Sequence, residues 1–201
     1  MIVPPGEKDI PISDISVEFS DSAFALRTLR IGEYKRLERL FSLRYGDEYD
    51  AEELLKLRQQ RVLVPFLQAT EDKSKHCICV RQTQTREMLG MILIKFDDSA
   101  AKKVLVEESW FIHDALYDKV FCVLVTEYLN NLKLALVEFR VDKRNSIARR
   151  QLEKLGADFD GILRREGVYR NECFDLAVYS ISQEEWLCVV PLYSIYKALP
   201  Q

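Results

Sequence analysis

The chain has 201 residues, of which 48% are hydrophobic and 30% are charged, and its net charge is −3. This composition supplies enough apolar side chains for one folded core and excludes a disordered chain. The slightly acidic balance gives no support to nucleic-acid binding, and the longest apolar run is too short and too interrupted to cross a membrane.

The first 20 residues contain three prolines and a glycine and are predicted to form an extended amino-terminal arm. A short strand is predicted within this arm at 15–19. No basic start is followed by an apolar run, so we expect no secretory signal and a cytoplasmic protein. The globular domain is predicted over 21–186, and it begins with a strand at 23–30 where apolar and polar residues alternate.

The apolar residues after this strand recur at the spacing of a helix. Four side chains at this spacing are predicted to form the buried face of a first helix that Gly46 ends. These four residues are Tyr34, Leu37, Leu40 and Phe41. A second helix is predicted to begin after Asp50, because Glu53 stands three residues further on as in a capping box. Pro65 is predicted to end this helix or to kink it.

The pattern then changes to short apolar runs that are typical of strands. Three strands are predicted in succession, at 75–82, 87–96 and 102–112. A buried helix at 117–131, a strand at 133–141, a helix at 145–155 and strands near 158–165 and 173–181 follow. This order predicts one α/β domain with a mixed sheet and helices on both faces. Residues 187–201 form an apolar tail, which we expect to pack on the domain or on a second subunit.

The cysteines are odd in number and have apolar neighbours, which favours reduced and mostly buried thiols over disulfides. They are Cys77, Cys79, Cys122, Cys173 and Cys188. Cys77 and Cys79 follow His76 closely, but a structural zinc site needs four ligands and no second pair occurs in the sequence. We therefore predict no metal site.

The stretch "KRNSIARRQLEKLG", residues 143–156, has the features of a short capped helix. Asn145 or Ser146 can cap its start, and Gly156 can supply the left-handed residue that ends it. Three apolar residues are predicted to face the core: Ile147, Leu152 and Leu155. For Asn145 a second role, contact with a ligand, stays open.

Five sequence blocks occur in a fixed order along this part of the chain, namely Asn145, 153–156, 161–164, 167–169 and 184–186. In this order they resemble the carboxyl-terminal half of GNAT N-acetyltransferases, and most closely the RimJ/RimL-like branch. The resemblance implies an α/β domain with a GNAT-like mixed, mostly antiparallel central sheet. It also implies transfer of an acetyl group from acetyl-CoA to a primary amine, either a protein N-terminus or a small amine.

The same resemblance implies which residues would form the site. Coenzyme contacts fall on Phe111, Ile112, His113, Lys119, Val120, Asn145 and Arg149. Glu107 matches the position of an acidic residue near the amine and would be the general base. In a regular strand Glu108 points to the opposite face, but a β-bulge could exchange the two roles, or both could be solvated carboxylates. Ser146 is the hydroxyl nearest to the family's serine position, which Ala148 occupies.

The turn that would hold the coenzyme's pyrophosphate departs from the family pattern. Asp118 and Val120 stand where the family has glycines, and no glycine occurs between Gly90 and Gly156. Side chains at these positions would crowd the phosphates, and an aspartate would repel them. Two functions therefore stay open. The first is an acetyl-CoA-dependent acetyltransferase, and the second is a degenerate GNAT-fold protein that has lost coenzyme binding and binds a protein partner or a small ligand.

Overall fold

The computed structural model describes residues 15–18, 23–29, 33–97, 102–169, 172–189 and 197–198. Within these ranges the strands are β1 Ile15–Glu18, β2 Ala23–Thr28, β3 Lys75–Gln82, β4 Met88–Asp97, β5 Lys103–Phe111, β6 Leu136–Asp142, β7 Asp158–Tyr169, β8 Glu172–Ser182 and β9 Lys197–Ala198. The α-helices are α1 Tyr34–Tyr45, α2 Ala51–Arg58, α3 Val64–Glu71, α4 Leu116–Thr126, α5 Ser146–Leu155 and α6 Gln183–Val189. A π-helical turn, Gln59–Leu63, joins α2 to α3, and a second one, Glu127–Asn131, follows α4.

The described strands form one sheet in the order β7-β8-β6-β5-β4-β3-β2-β1-β9. Neighbouring strands run antiparallel except for β5 and β6, which run parallel. Helices α1 to α3 cover one face of the sheet, and α4 to α6 cover the other. The predicted mixed, mostly antiparallel sheet with helices on both faces is therefore confirmed.

The amino-terminal helices begin and pack as their sequence indicates. Leu37 and Phe41 on α1 are completely buried. The Asp50 side chain accepts a hydrogen bond from the Glu53 amide at 2.8 Å, which confirms the predicted start of α2. Pro65 lies in the first turn of α3, directly after the π-helical turn, so it stands at a change of helical pitch and the helix does not end there.

Each face of the sheet has its own apolar core. On the α1–α3 face the Phe41 ring packs edge-on against Trp110, with ring centroids 5.0 Å apart. On the opposite face α4 contributes seven buried residues, and the α6 residue Trp186 is completely buried beside them. Each face thus buries one tryptophan, and a sheet that is covered on both sides explains the near-continuous apolar runs of β3 and β4.

The carboxyl-terminal region forms α6 and a two-residue strand. At the start of α6 the Ser182 amide donates to Glu185 Oε2 at 2.7 Å, and the Glu185 amide donates to Ser182 Oγ at 3.2 Å. This reciprocal pair is a capping box. Residues 187–189 of the predicted apolar tail end α6, and 197–198 pair with β1 at the far edge of the sheet. The rest of the tail, and residues 1–14 of the predicted arm, lie outside the described residues.

The prediction that Ile147 faces the core is wrong, because 64% of its surface is exposed. Leu152 and Leu155 are buried as predicted, and both are only 2% exposed. The core-facing side of α5 is formed by the half-buried Ala148 and the buried Leu152 and Leu155, at i, i+4 and i+7. Ile147 lies about 100° around the helix from Ala148, and this offset carries it away from the core.

All five cysteines are free thiols. Cys77, Cys79 and Cys122 are buried as predicted, and burial raises the pKa of Cys77 to about 12, so that thiol stays neutral. Cys173 and Cys188 are exposed, so most but not all of the thiols are buried. Across the described ranges no group of three or more potential ligands could hold a metal ion, and no helix there is long and apolar enough to cross a membrane.

Candidate functional site

The candidate site is the gap that opens between the parallel strands β5 and β6. The two strands pair from 103–106 to 136–139. Strand β5 then continues to Phe111 and β6 to Asp142, with no further pair between these described residues. Two strands in the middle of a sheet thus diverge, and a bound chain could occupy the space between their unpaired edges.

A β-bulge lies where the gap begins. In the register of β4 and β5, Leu93 is opposite Glu108 and Ile94 is opposite Val106, so Glu107 is the extra residue. An extra residue interrupts the alternation of side chains along the strand. Of the two alternatives, a regular or a bulged strand, the structure has the bulged one, and Glu107 and Glu108 do not lie on opposite faces.

Both carboxylates instead meet cations on the α1–α3 side of the sheet. Glu107 Oε2 accepts from Lys75 Nζ at 2.6 Å, and the same ammonium donates to Gln68 of α3 at 3.3 Å. Glu108 pairs with Arg61, which lies in the π-helical turn between α2 and α3. Each strand carboxylate is therefore in a partly buried ion pair and is not free in solvent.

The hydrogen bonds to Glu108 fall on one of its two carboxylate oxygens. Glu108 Oε1 accepts from Arg61 Nη2 at 2.5 Å, from Arg61 Nε at 3.2 Å and from the Ser109 amide at 3.0 Å. Within the described structure no hydrogen bond reaches Oε2. Burial acts to lower the pKa of Arg61, but the adjacent Glu108 outweighs it, so that pKa lies above its ordinary value. A permanently charged Arg61 thus orients Glu108 and leaves one oxygen open.

Aromatic side chains line the gap. The Phe121 ring lies 5.2 Å from that of Phe139, and the Tyr117 ring packs against Phe121 and Phe111. The Tyr117 hydroxyl donates to the Ser109 carbonyl at 3.3 Å, and burial raises the pKa of this hydroxyl. A cavity of about 40 Å³ remains, and Glu108 is among the residues that line it. That volume suits about one water molecule.

The turn before α4 uses several of its polar groups internally. The amides of Leu116 and Tyr117 donate to the carbonyls of His113 and Asp114, both at 3.1 Å. In the first turn of α4, Asp118 forms an ion pair with Lys154 of α5. The helix dipole already has a carboxylate at its positive end, which lowers its attraction for another anion.

The predicted coenzyme contacts have different surroundings. Phe111 and Val120 are buried in the core, Ile112 and Lys119 are half-buried, and His113 is exposed. The Ile112 amide donates to the Leu89 carbonyl at 2.8 Å, so its backbone extends the pairing of β5 with β4. These residues lie around the turn before α4, as the sequence order requires, but the side chains of Phe111 and Val120 pack in the core.

Helix α5 presents Ala148, Gln151 and Leu152 to the gap. Ser146, the predicted catalytic hydroxyl, is exposed at the first position of α5 and does not line the gap. Arg149 points toward β7 and β8. Its Nε donates to the Tyr179 hydroxyl of β8 at 2.9 Å, so this guanidinium contacts the sheet and does not line the gap.

Asn145 caps α5, because its Oδ1 accepts from the Ala148 amide at 3.0 Å. The helix ends as predicted at Gly156, whose φ of 94° lies in the left-handed region. We expect Asn145→Ala to lower the free energy of unfolding by about 1 kcal/mol, measured by urea denaturation. Asn145→Asp keeps an acceptor and should stay close to the wild type. An equal loss in both variants would show that the cap does not account for the effect.

Two residues of the gap could not be found by motif comparison. Arg61 is separated from Glu108 by 47 positions, and its approach depends on the π-helical turn, for which the sequence offers no signal. For Tyr117 the sequence predicts only the start of a buried helix. The one available signal is an aromatic residue directly before Asp118, which places a ring where the strands diverge.

The sheet has a central pair of parallel strands that diverge after a bulge. It is otherwise antiparallel and is covered on both faces, which is the architecture of the GNAT N-acetyltransferases. Solved structures with this architecture superimpose on the chain, and the neighbours include RimJ and ribosomal-protein acetyltransferases. The chain therefore has the GNAT fold. No protein-family model and no curated protein sequence matches it.

Three of the similar structures illustrate the range of relatives. Mycobacterium smegmatis RimJ in complex with CoA-disulfide superimposes with a TM-score of 0.71 at 12% identity, covering 95% of this chain and 99% of its own. The ribosomal-protein-S5-alanine acetyltransferase of Vibrio fischeri gives 0.62 at 13% identity, covering 86% and 99%. A chimera of the spermidine N-acetyltransferase SpeG from Vibrio cholerae and hSSAT gives 0.62 at 16% identity, covering 82% and 98%.

Proposed function

We propose that the protein transfers an acyl group to a primary amine in the gap between β5 and β6. The observation that carries this proposal is Glu108, which lines the gap with one oxygen held by Arg61 and the other free to accept a proton. A carboxylate at hydrogen-bonding distance from an amine can remove its proton as the amine attacks. Shared architecture with enzymes named as ribosomal-protein and spermidine acetyltransferases supports a protein N-terminus or a small amine as acceptor.

Acetyl-CoA is the donor that the sequence resemblance implies, and bound in the gap it would supply an activated thioester carbonyl. The residues fit this donor poorly in the conformation described. The remaining cavity of about 40 Å³ is too small for an acyl arm unless the Tyr117 ring moves. Asp118 and Val120 also replace the glycines of the phosphate turn, and Asp118 repels a pyrophosphate. Movement of Tyr117 is therefore part of the proposal.

A second candidate function follows from the same closed gap. If the ring of Tyr117 stays in place, the chain is a GNAT-fold protein that binds a protein or ligand without coenzyme. Three contacts favour this candidate: Tyr117 with Ser109, Arg61 with Ser109 at 3.2 Å, and Asp118 with Lys154. The first two occupy the Ser109 carbonyl, which is an edge group of β5 that an arm in the gap would need.

Calorimetric titration with acetyl-CoA separates the two candidates. The acyltransferase proposal predicts binding in the micromolar range, corresponding to roughly −8 kcal/mol. Tyr117→Ala should tighten it several-fold, because a protein that must open before binding loses affinity in proportion to its closed fraction. Tyr117→Phe keeps the ring and removes only the hydroxyl contact, so it serves as the matched control.

Each outcome of the titration favours one candidate. Binding by the wild type, followed by acetylation of a peptide N-terminus or of spermidine, would support acyl transfer. No heat from the wild type or from Tyr117→Ala at millimolar acetyl-CoA, with both proteins folded by circular dichroism, would support the coenzyme-free candidate. Binding that is the same in all three proteins would contradict the role given to Tyr117.

A further inference from the structure

A second, larger cleft of about 670 Å³ lies between α1 and the turn that joins β3 to β4. Its floor is apolar and is formed by Leu40, Met88 and Ile112. The exposed Leu43 stands at its rim, with 73% of its surface accessible. This cleft contains neither Glu107 nor Glu108, so it is distinct from the gap between β5 and β6.

Arginines surround this floor. Arg36 and Arg39 lie one turn apart on α1, and Arg86 approaches from the β3–β4 turn. All three are exposed, and within the described ranges none forms an ion pair. Among the described residues that line the cleft, Glu87 is the one acidic side chain. An excess of positive charge is therefore concentrated here on a chain whose net charge is −3.

The turn that carries Arg86 is held by specific bonds. Arg81 Nε and Nη2 donate to the Arg86 carbonyl at 2.9 and 2.6 Å, and the Arg86 amide donates to the Gln82 carbonyl at 2.9 Å. Arg86 has a φ of 60°, a conformation that a non-glycine residue adopts only at a cost. The backbone of this arginine is thus fixed at the wall of the cleft, which reduces the entropy lost when a ligand binds.

We propose that this cleft binds an acidic peptide segment that also carries apolar side chains. Planar guanidinium groups pair with carboxylates through two parallel hydrogen bonds. Arg36, Arg39 and Arg86 are spread over two elements, which suits several carboxylates along a chain better than one compact anion. Apolar side chains of the same segment would lie on Leu40 and Met88, because buried apolar contact supplies the affinity that exposed ion pairs lack. This inference does not depend on coenzyme binding in the gap.

Fluorescence anisotropy with a short fluorescein-labelled peptide of alternating glutamate and leucine tests the proposal. The double variant Arg36→Glu/Arg39→Glu should bind it about tenfold more weakly or worse than the wild type, because two attractions become repulsions. Arg150→Glu/Arg164→Glu makes the same change in net charge at exposed arginines outside the cleft, and it should bind like the wild type. Binding by the wild type should also weaken as salt is raised.

Three results would overturn the proposal. The first is no binding of the peptide to the wild type at millimolar concentration, and the second is an equal loss in both double variants, which would reflect overall charge. The third is displacement of the peptide by inorganic pyrophosphate at similar concentration, which would indicate a compact anion site. Thermal unfolding of each variant confirms that a loss of binding is not a loss of fold.

Discussion

Trp186→Ala is expected to lower the free energy of unfolding by about 3–5 kcal/mol. The indole is completely buried against the core of the α4 face, and its Nε1 donates to Thr126 Oγ1 at 3.2 Å. Alanine leaves a cavity the size of the ring system and deprives the Thr126 hydroxyl of this donor. For a chain of this length the melting temperature should fall by about 10 °C or more.

The neighbouring substitution Leu187→Ala is the control for this experiment. Leu187 lies on the same helix but is 56% exposed, so its loss should cost less than about 1 kcal/mol. Urea denaturation of both variants beside the wild type measures the difference. If Trp186→Ala costs no more than Leu187→Ala, α6 does not belong to the folded core and the described packing of the α4 face is incorrect.

Glu108→Gln is expected to reduce the rate of amine acylation by roughly 10²- to 10⁴-fold, the usual contribution of a general base. Glutamine keeps the size of the side chain and an oxygen for Arg61, but it cannot take a proton. Binding of the donor should change little, so the loss should fall on kcat, measured by release of free coenzyme thiol with spermidine or a peptide as acceptor.

Glu107→Gln is the matched control, because Glu107 is the adjacent carboxylate on the same side of the sheet. It is held by Lys75 and lines a different cavity, of about 440 Å³, so its loss should reduce the rate far less. A larger loss in Glu107→Gln than in Glu108→Gln would return the role of base to Glu107, the residue that the family resemblance indicated. Equal, small losses in both would remove the general base from the proposal.

Periodicity and capping predicted the order of strands and helices well, because each depends on neighbours within a few residues. Asp50, Asn145 and Gly156 act at the helix ends as predicted. The site was less predictable for a physical reason. The bulge at Glu107 depends on how β4 and β5 align, and the contact of Arg61 with Glu108 depends on tertiary packing. Neither leaves a local pattern in the sequence.

Ile147 illustrates a subtler limit of the same reasoning. Its apolar side chain and its spacing along the helix predict a position in the core, yet the structure leaves it exposed. On a short helix several different sets of apolar residues fit helical spacing, and the position of the sheet decides which set faces the core. An apolar residue at the start of a helix therefore does not show which side of the helix faces the core.

The π-helical turn Gln59–Leu63 makes the ion pair at the gap sensitive to chain length as well as to residue identity. A π turn holds one more residue than an α-helical turn between the same two helical segments. Deleting a single residue there would let α2 and α3 merge into one continuous α-helix, because the π turn is what accommodates the extra residue. The widened turn that carries Arg61 to Glu108 would then be lost without any substitution of either residue. Insertions and deletions in this helix are thus a route by which related chains could gain or lose the orienting guanidinium in one step.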